Sequence, residues 1–421
     1  MAHLPHAVRL VNSSLHRLLP REAILRLCGE VGHRFRQSKL GPAETVLLSV
    51  VMILRAQASL AEMRIAAAGA FSKSALCQAR ARLPLRLLSS LNQWVIDQAL
   101  KPGGPPRVLG LDAVNHYLPD TPGLRKRYRH PRQKSARAKR CDYPQLRVLS
   151  CFDLLTGLLL AQFDFPSDRH EAPMLRRLLD LNVVRPGDTL VFDRGFVSFA
   201  NVCLLRDRGI HFVARLPKTL YAGNAGRRRF QRPGGKGGGA VVWEKPARRP
   251  TGVSGRAWRR RYAASLDLRQ VAVLVRHGRS RGRLVLLTDL TTTAKRQLAD
   301  WYRRRWDVET NFRHLKQTLN LEFFTCKSVA GVKRELLLRQ VAYNLVRRVV
   351  LRAARGHRVA CGRIGFADAT QLLLHADLHQ LLRLLRPTER RVRTARPRRL
   401  KYRGKNYRRL TDRPKPQRRI A

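Results

Sequence analysis

Over roughly the first hundred residues, apolar positions recur at three- and four-residue spacing, as in ETVLLSVVMILRAQASLAEM and LRLLSSLNQWVIDQAL. That period predicts helices that bury one face. Between these runs, FSKSALCQARARLP offers Ser72 or Ser74 as the start of a further small helix. It reads equally as a solvated helix or as one that meets DNA. KPGGPP, from Lys101 to Pro106, breaks the helical pattern and marks a boundary. Beyond it the pattern shortens. RVLGLDA, QLRVLSCFD, GLLLAQFDF, TLVFD and IHFVARL are strand-like, each closed by turn-forming or polar residues. Helical segments EAPMLRRLLDL and SFANVCLLRDRG flank TLVFD, so a mixed α/β sheet is expected.

From about Pro217 to Leu290 the chain changes again. A glycine- and arginine-rich loop, GNAGRRRFQRPGGKGGGA, precedes strand candidates VVW, QVAVLV and RLVLLT, with HGRSRG as a hairpin turn. PGGKGGG lacks the Gly-Lys-Ser/Thr order of a phosphate loop and no helix pattern follows it. Helical periodicity returns over 292–356 and 366–386, and a basic tail closes the chain. The expected division is a helical DNA-binding domain over 1–104, a core in two parts over 105–216 and 291–386, a β-rich insertion over 217–290 between them, and a basic tail over 387–421.

Charge sharpens this picture. Lys and Arg total 85 against 28 acidic residues, a net charge of +57. Such an excess calls for a polyanionic partner, and nucleic acid is the commonest. Val46 to Leu54 is the longest apolar stretch, too short for the ~20 residues of a membrane-spanning helix. The N-terminus lacks signal-peptide layout, and seven scattered cysteines without C-x-x-C spacing suggest reduced thiols in a cytoplasmic protein.

Three acidic residues stand out by position. Asp112 follows the strand RVLGL, and Asp193 follows TLVF and opens DRGF, both at strand ends where α/β sheets form ligand sites. Glu309 lies in YRRRWDVETNFRHLK. Taken as a helix, this stretch gathers Tyr302, Arg305, Glu309 and Lys316 within an arc of about 60°. Chance alignment on a solvated, arginine-rich helix would give the same spacing. Phosphodiester chemistry favours the functional reading, because carboxylates hold divalent ions and neighbouring cations grip phosphates.

At these residues the chain resembles a transposase of the insertion sequence 4 family, a branch of the DDE transposases. The stretch from Tyr302 to Lys316 matches that family's Tyr-x2-Arg-x3-Glu-x6-Lys signature, DRGF its second-aspartate motif and GLDAVNHYLPDT its first. KYRGKNYRRLTDRP in the tail also looks familial. The resemblance implies a ribonuclease-H-like core and a catalytic, metal-binding triad of Asp112, Asp193 and Glu309. It further implies DNA contacts by Tyr302, Arg305, Lys316 and Arg194, and Mg²⁺ as cofactor with Mn²⁺ as a substitute. The partners implied are double-stranded DNA, as inverted repeats and target, and a second protomer on paired ends. No membrane is involved, and a bacterial nucleoid-associated location follows. Such enzymes cut and paste an insertion sequence; a decayed, DNA-binding derivative that inhibits transposition and a nuclease that cuts without joining remain alternatives.

Departures are visible. Ala113 and Val114 follow the first aspartate where a Gly-Thr or Gly-Ser pair is commoner, and RLVLLT lacks the strand Trp that in some relatives stabilises a flipped base. Trp243 and Trp258 are substitutes only if they are not core. Trp301 and Trp306 are expected to pack and Asp307 to point about 160° from Glu309; Glu171 reads either as a helper near the metals or, the preferred reading, as an acid serving the helix dipole at its helix start.

Overall fold

The computed structural model describes residues 13–100, 103–129, 143–216, 239–250, 253–277, 280–320 and 322–388. The glycine- and arginine-rich loop up to Gly238, and the basic tail from Glu389, lie outside the described residues.

Among the described residues six helices come first: α1 (Ser13–Leu18), α2 (Arg21–Glu30), α3 (Pro42–Leu54), α4 (Leu60–Ala66), α5 (Lys73–Arg82) and α6 (Leu85–Asp97). Their starts are written locally. Ser72 accepts from the Ala75 amide to begin α5, and Ser59 with Glu62 forms a capping box on α4. Helix α3 is buried almost all round, which explains its near-continuous apolar run.

The sheet follows, with β1 (Val108–Tyr117), α7 (Pro122–Tyr128), β2 (Gln145–Asp153), β3 (Leu159–Pro166), α8 (Glu171–Leu179), β4 (Thr189–Phe192), α9 (Phe199–Asp207) and β5 (His211–Arg215). Then come β6 (Ala240–Glu244), α10 (Gly255–Arg261), β7 (Ser265–His277) and β8 (Ser280–Thr288). Helices α11 (Lys295–Arg313), α12 (Val329–Gly356), α13 (Phe366–His375) and α14 (Leu378–Leu384) complete the described chain. Eight strands make one sheet in the order β3-β2-β1-β4-β5-β8-β7-β6. Strands β1, β4 and β5 run parallel to one another, and every other pairing is antiparallel. This mixed α/β sheet is the expected ribonuclease-H-like core. The strands of the 217–290 segment extend it through β8 on β5, and α10, unannounced by any periodicity, sits between β6 and β7.

Strand alternation sends side chains to two layers. Val108, Val191 and Val213 join the larger core, built from α1 to α6 together with α11, α12 and α13. Leu109, Leu111, Leu190 and Phe192 join the opposite core with α8, α9, Trp243 and Trp258. Both tryptophans are therefore core residues, packed edge-on to Phe199. Helix α12 runs through the larger core. Its Asn344 accepts from the Leu159 amide at 2.9 Å and donates to the Leu159 carbonyl and to Asn92 at 2.8 Å, fastening α12 to β3 and α6.

One ion pair sets the register that matters most. Asp188, just before β4, accepts from the Arg107 amide at 2.8 Å and from Arg107 Nη2 at 2.6 Å. It thus clamps the beginnings of β1 and β4 together, and Val108 pairs with Thr189, Leu109 with Leu190 and Gly110 with Val191.

Candidate active site

Two residues past the last bonded pair, Gly110–Val191, β1 carries Asp112 and β4 gives way to Asp193. The two aspartates therefore hold equivalent positions where parallel strands part. Leu111 and Phe192 point into the α8/α9 core, so alternation turns Asp112 and Asp193 toward α11. A 3-10 turn over Arg194–Phe196 follows Asp193 and leaves Arg194 exposed.

Helix α11 brings the third carboxylate. It approaches β1 closely because Gly110 has no side chain: a Cβ there would lie 2.6 Å from Val308 Cγ2 and 2.6 Å from Leu154 Cδ2. Val308 is the neighbour of Glu309, so this contact sets the height of Glu309 over the strand ends. Arg305, one turn earlier, has Nη1 3.9 Å from Asp112 Oδ2 and Nη2 3.6 Å from Glu309 Oε1. Its guanidinium bridges the two carboxylates, while its Nε is buried without a hydrogen-bond partner. Tyr302, expected to face DNA, is turned inward and its hydroxyl donates to Asp193 Oδ1 at 3.3 Å.

The electrostatics follow from crowding. Burial pushes the Asp112 carboxyl above its usual range, and the charges of Glu309 and Asp193 add to that rise. The Ala113 amide, donating to Asp112 Oδ1 at 2.8 Å, and Arg305 oppose it. Burial likewise pushes Tyr302 up to about 12, with Asp193 contributing, so its proton stays in place at neutral pH. Lys316 is half-buried and its ammonium is pushed down by burial, against the pull of Glu322 and Asp112.

Lys316 reaches the site by a route that regular helical spacing does not describe. Helix α11 ends at Arg313, and His314–Thr318 is a π-helical turn. Such a turn inserts an extra residue's worth of rotation and recurs at functional sites. Trp306 corrects another expectation: it is 53% exposed, with the Arg305 guanidinium 5.5 Å over its ring. Trp301 is partly buried against the larger core. Asp307 faces away, among Arg303, Arg304 and Arg347.

Glu171 is the residue that helix-dipole reasoning undervalued. It approaches from the opposite face of the sheet, where burial raises its carboxyl above the ordinary range and the charges of Asp112 and Asp193 raise it further. Arg147 on β2 holds it with Nη2 2.5 Å from Oε1. Among the described residues no three His, Cys, Asp or Glu side chains converge into a ready cage for a metal ion; the bridging Arg305 supplies positive charge between Asp112 and Glu309.

The family described as transposase DDE domain matches residues 103–345, more than half of the chain. The chain belongs to the DDE transposase family. The match covers β1 through most of α12 and so contains every residue of the site above. A solved piggyBac transposase synaptic complex with hairpin DNA is similar at a TM-score of 0.42 and 11% identity, covering 90% of this chain and 80% of that one. A comparison with curated proteins gives no match.

Proposed function

We propose that this transposase is of the insertion sequence 4 type, cutting DNA at the ends of its element and joining those ends to target DNA. The observation that carries the reading is the meeting of Asp112 and Asp193, at equivalent positions on parting parallel strands, with Arg305 and Glu309 from α11. The donors are all carboxylates, hard oxygen ligands suited to Mg²⁺, or Mn²⁺ in its place, rather than to a thiophilic ion. A half-buried Asp112 crowded by two further acids also favours a strong counter-charge. Asp112, Asp193 and Glu309 are the residues that would hold the metal, which when bound supplies charge neutralisation at the phosphodiester and a more reactive attacking oxygen.

The remaining residues act on substrate or on these carboxylates. Tyr302 holds Asp193 through its hydroxyl. Arg305 grips phosphate with a planar guanidinium, and Lys316 and the exposed Arg194 act as point and surface charges beside it. In cutting, a water oxygen attacks phosphorus and the freed 3′ hydroxyl leaves; in joining, that hydroxyl attacks a target phosphodiester, and the target's own 3′ oxygen leaves with the proton. The helices over 1–104 and the tail over 387–421 serve as DNA-binding parts around a core interrupted at 217–290, and two protomers act on paired ends. These parts fit the net charge of +57.

The test is to incubate the protein, Mg²⁺, DNA carrying the gene's flanking ends and a target plasmid. Joined products are expected. Cut but unjoined ends would replace this reading with that of a nuclease. Retained binding without any cutting would replace it with a decayed, DNA-binding derivative.

A further inference from the structure

Glycine at position 195 has a specific cause. A Cβ built there would lie 1.6 Å from Glu171 Oε2 and 2.8 Å from Glu171 Cδ, and its three nearest neighbours all belong to Glu171. The backbone at Gly195 is not in the left-handed region, so the bar to alanine is the Glu171 carboxylate and not backbone strain. One carboxylate oxygen thus lies against the Arg194–Phe196 turn, directly after Asp193. The other is 2.5 Å from Arg147 Nη2, and Arg147 Nη1 donates to the Arg169 carbonyl at 3.2 Å. Arg147 is fixed in the sheet, opposite Asn115 on β1 and Phe165 on β3. An acidic residue serving only the helix dipole would need none of these contacts.

The sheet therefore carries acidic groups on both of its faces at one end. Glu309 reaches the parting of β1 and β4 from α11, and Glu171 reaches it from α8 on the other side. Glu171 is half-buried and anchored, so its carboxylate is held against the turn rather than free to swing.

We propose that Glu171 is a positioning residue of the same centre: anchored by Arg147, it braces the Asp193–Gly195 turn and adds negative charge behind the cation-binding face. This rests on the reading of Asp112 and Asp193 as cation ligands. Groups that orient metal ligands without touching the metal typically change its affinity by about 10-fold or more when altered. Glu171→Gln keeps the shape and removes the charge. Gly195→Ala keeps the charge and forces the carboxylate off the turn, breaking its hold on Arg147.

The experiment measures Mn²⁺ affinity of the full chain, by the paramagnetic signal of free Mn²⁺, alongside thermal unfolding. The wild type, Glu171→Gln, Glu171→Ala, Gly195→Ala, the double variant Glu171→Ala/Gly195→Ala and Asp193→Ala are compared. Glu171→Gln and Gly195→Ala are each expected to bind Mn²⁺ about 10-fold more weakly with unfolding midpoints near wild type. The double variant should be no weaker than Glu171→Ala alone, because removing the carboxylate removes the severe clash and leaves Glu171 Cβ at an ordinary 3.6 Å. Wild-type affinity in Glu171→Gln and Gly195→Ala, with affinity lost in Asp193→Ala, would overturn the role of Glu171 while leaving the triad standing. Wild-type affinity in Asp193→Ala would overturn the triad itself, and this inference with it.

Discussion

Replacing Gly110 with alanine should damage the reaction centre from beneath. The added methyl carbon would lie 2.6 Å from Val308 Cγ2 on α11 and 2.6 Å from Leu154 Cδ2. Ordinary carbon contacts are about 3.5–4.0 Å, so each is short by about 1 Å. Val308 and Leu154 are both buried, at 0% and 5% exposure, and have little room to yield. Overpacking of this kind costs about 1–3 kcal/mol. The cheapest relaxation is for α11 to move away from β1, and Glu309 and Arg305 would move with it. A shift of about 1 Å in catalytic groups costs on the order of 100-fold in rate. Urea unfolding should therefore show a loss of about 1–3 kcal/mol, and end cleavage should fall far more than DNA binding. Adding Val308→Ala, which removes the Cγ2 methyl, should restore part of both losses. A Gly110→Ala protein with wild-type stability and cleavage would refute the claim that this glycine sets the approach of α11.

Two further outcomes follow from the same geometry. Arg305→Ala should weaken binding to element ends and lower the salt slope of that binding by about one; Arg305→Lys should not recover cleavage, because one ammonium cannot meet Asp112 and Glu309 as two guanidinium nitrogens do, and an unchanged slope in the alanine variant would count against a phosphate contact. His116, half-buried on β1 and pushed down to about 3 by desolvation and by the charges of Lys316 and Arg339, is neutral in the folded protein at pH values where the unfolded chain, near 6.5, already takes up a proton. Its contribution to stability is thus present above pH 6.5 and lost as pH falls toward 3, by about 1.4 kcal/mol per pH unit; His116→Gln should flatten the acid limb of a denaturation series, and an equally steep limb in that variant would refute the assignment.

Much of this was legible in the chain. TLVFD announced the strand end at Asp193, and the spacing of Tyr302, Arg305 and Glu309 put them on one helix face; Asp112, read as ending RVLGL, instead lies within β1, which pairs with β2 as far as Tyr117. What could not be read was relative placement. No periodicity reveals that Arg107 and Asp188 lock β1 against β4 so that the aspartates come level. The same holds for the π-helical turn at His314–Thr318, because local backbone choice there answers to packing rather than to sequence period. Trp306 was expected to pack, yet it lies beside Arg305 with an open face. Glu171 was legible as a helper near the metals, but a sufficient local explanation at its helix start was preferred. The available signal was its chain position, heading the helix between the strands of the two aspartates, together with the glycine in DRGF.

The most direct measurement of the central claim is cleavage of end DNA in Mg²⁺ by the wild type and by Asp112→Ala, Asp193→Ala and Glu309→Ala, with DNA binding measured on the same preparations. Cleavage by the wild type alone, with all four proteins binding DNA comparably, is the predicted result. Equal cleavage by any of the three variants would contradict the triad and place the reaction centre elsewhere in the molecule.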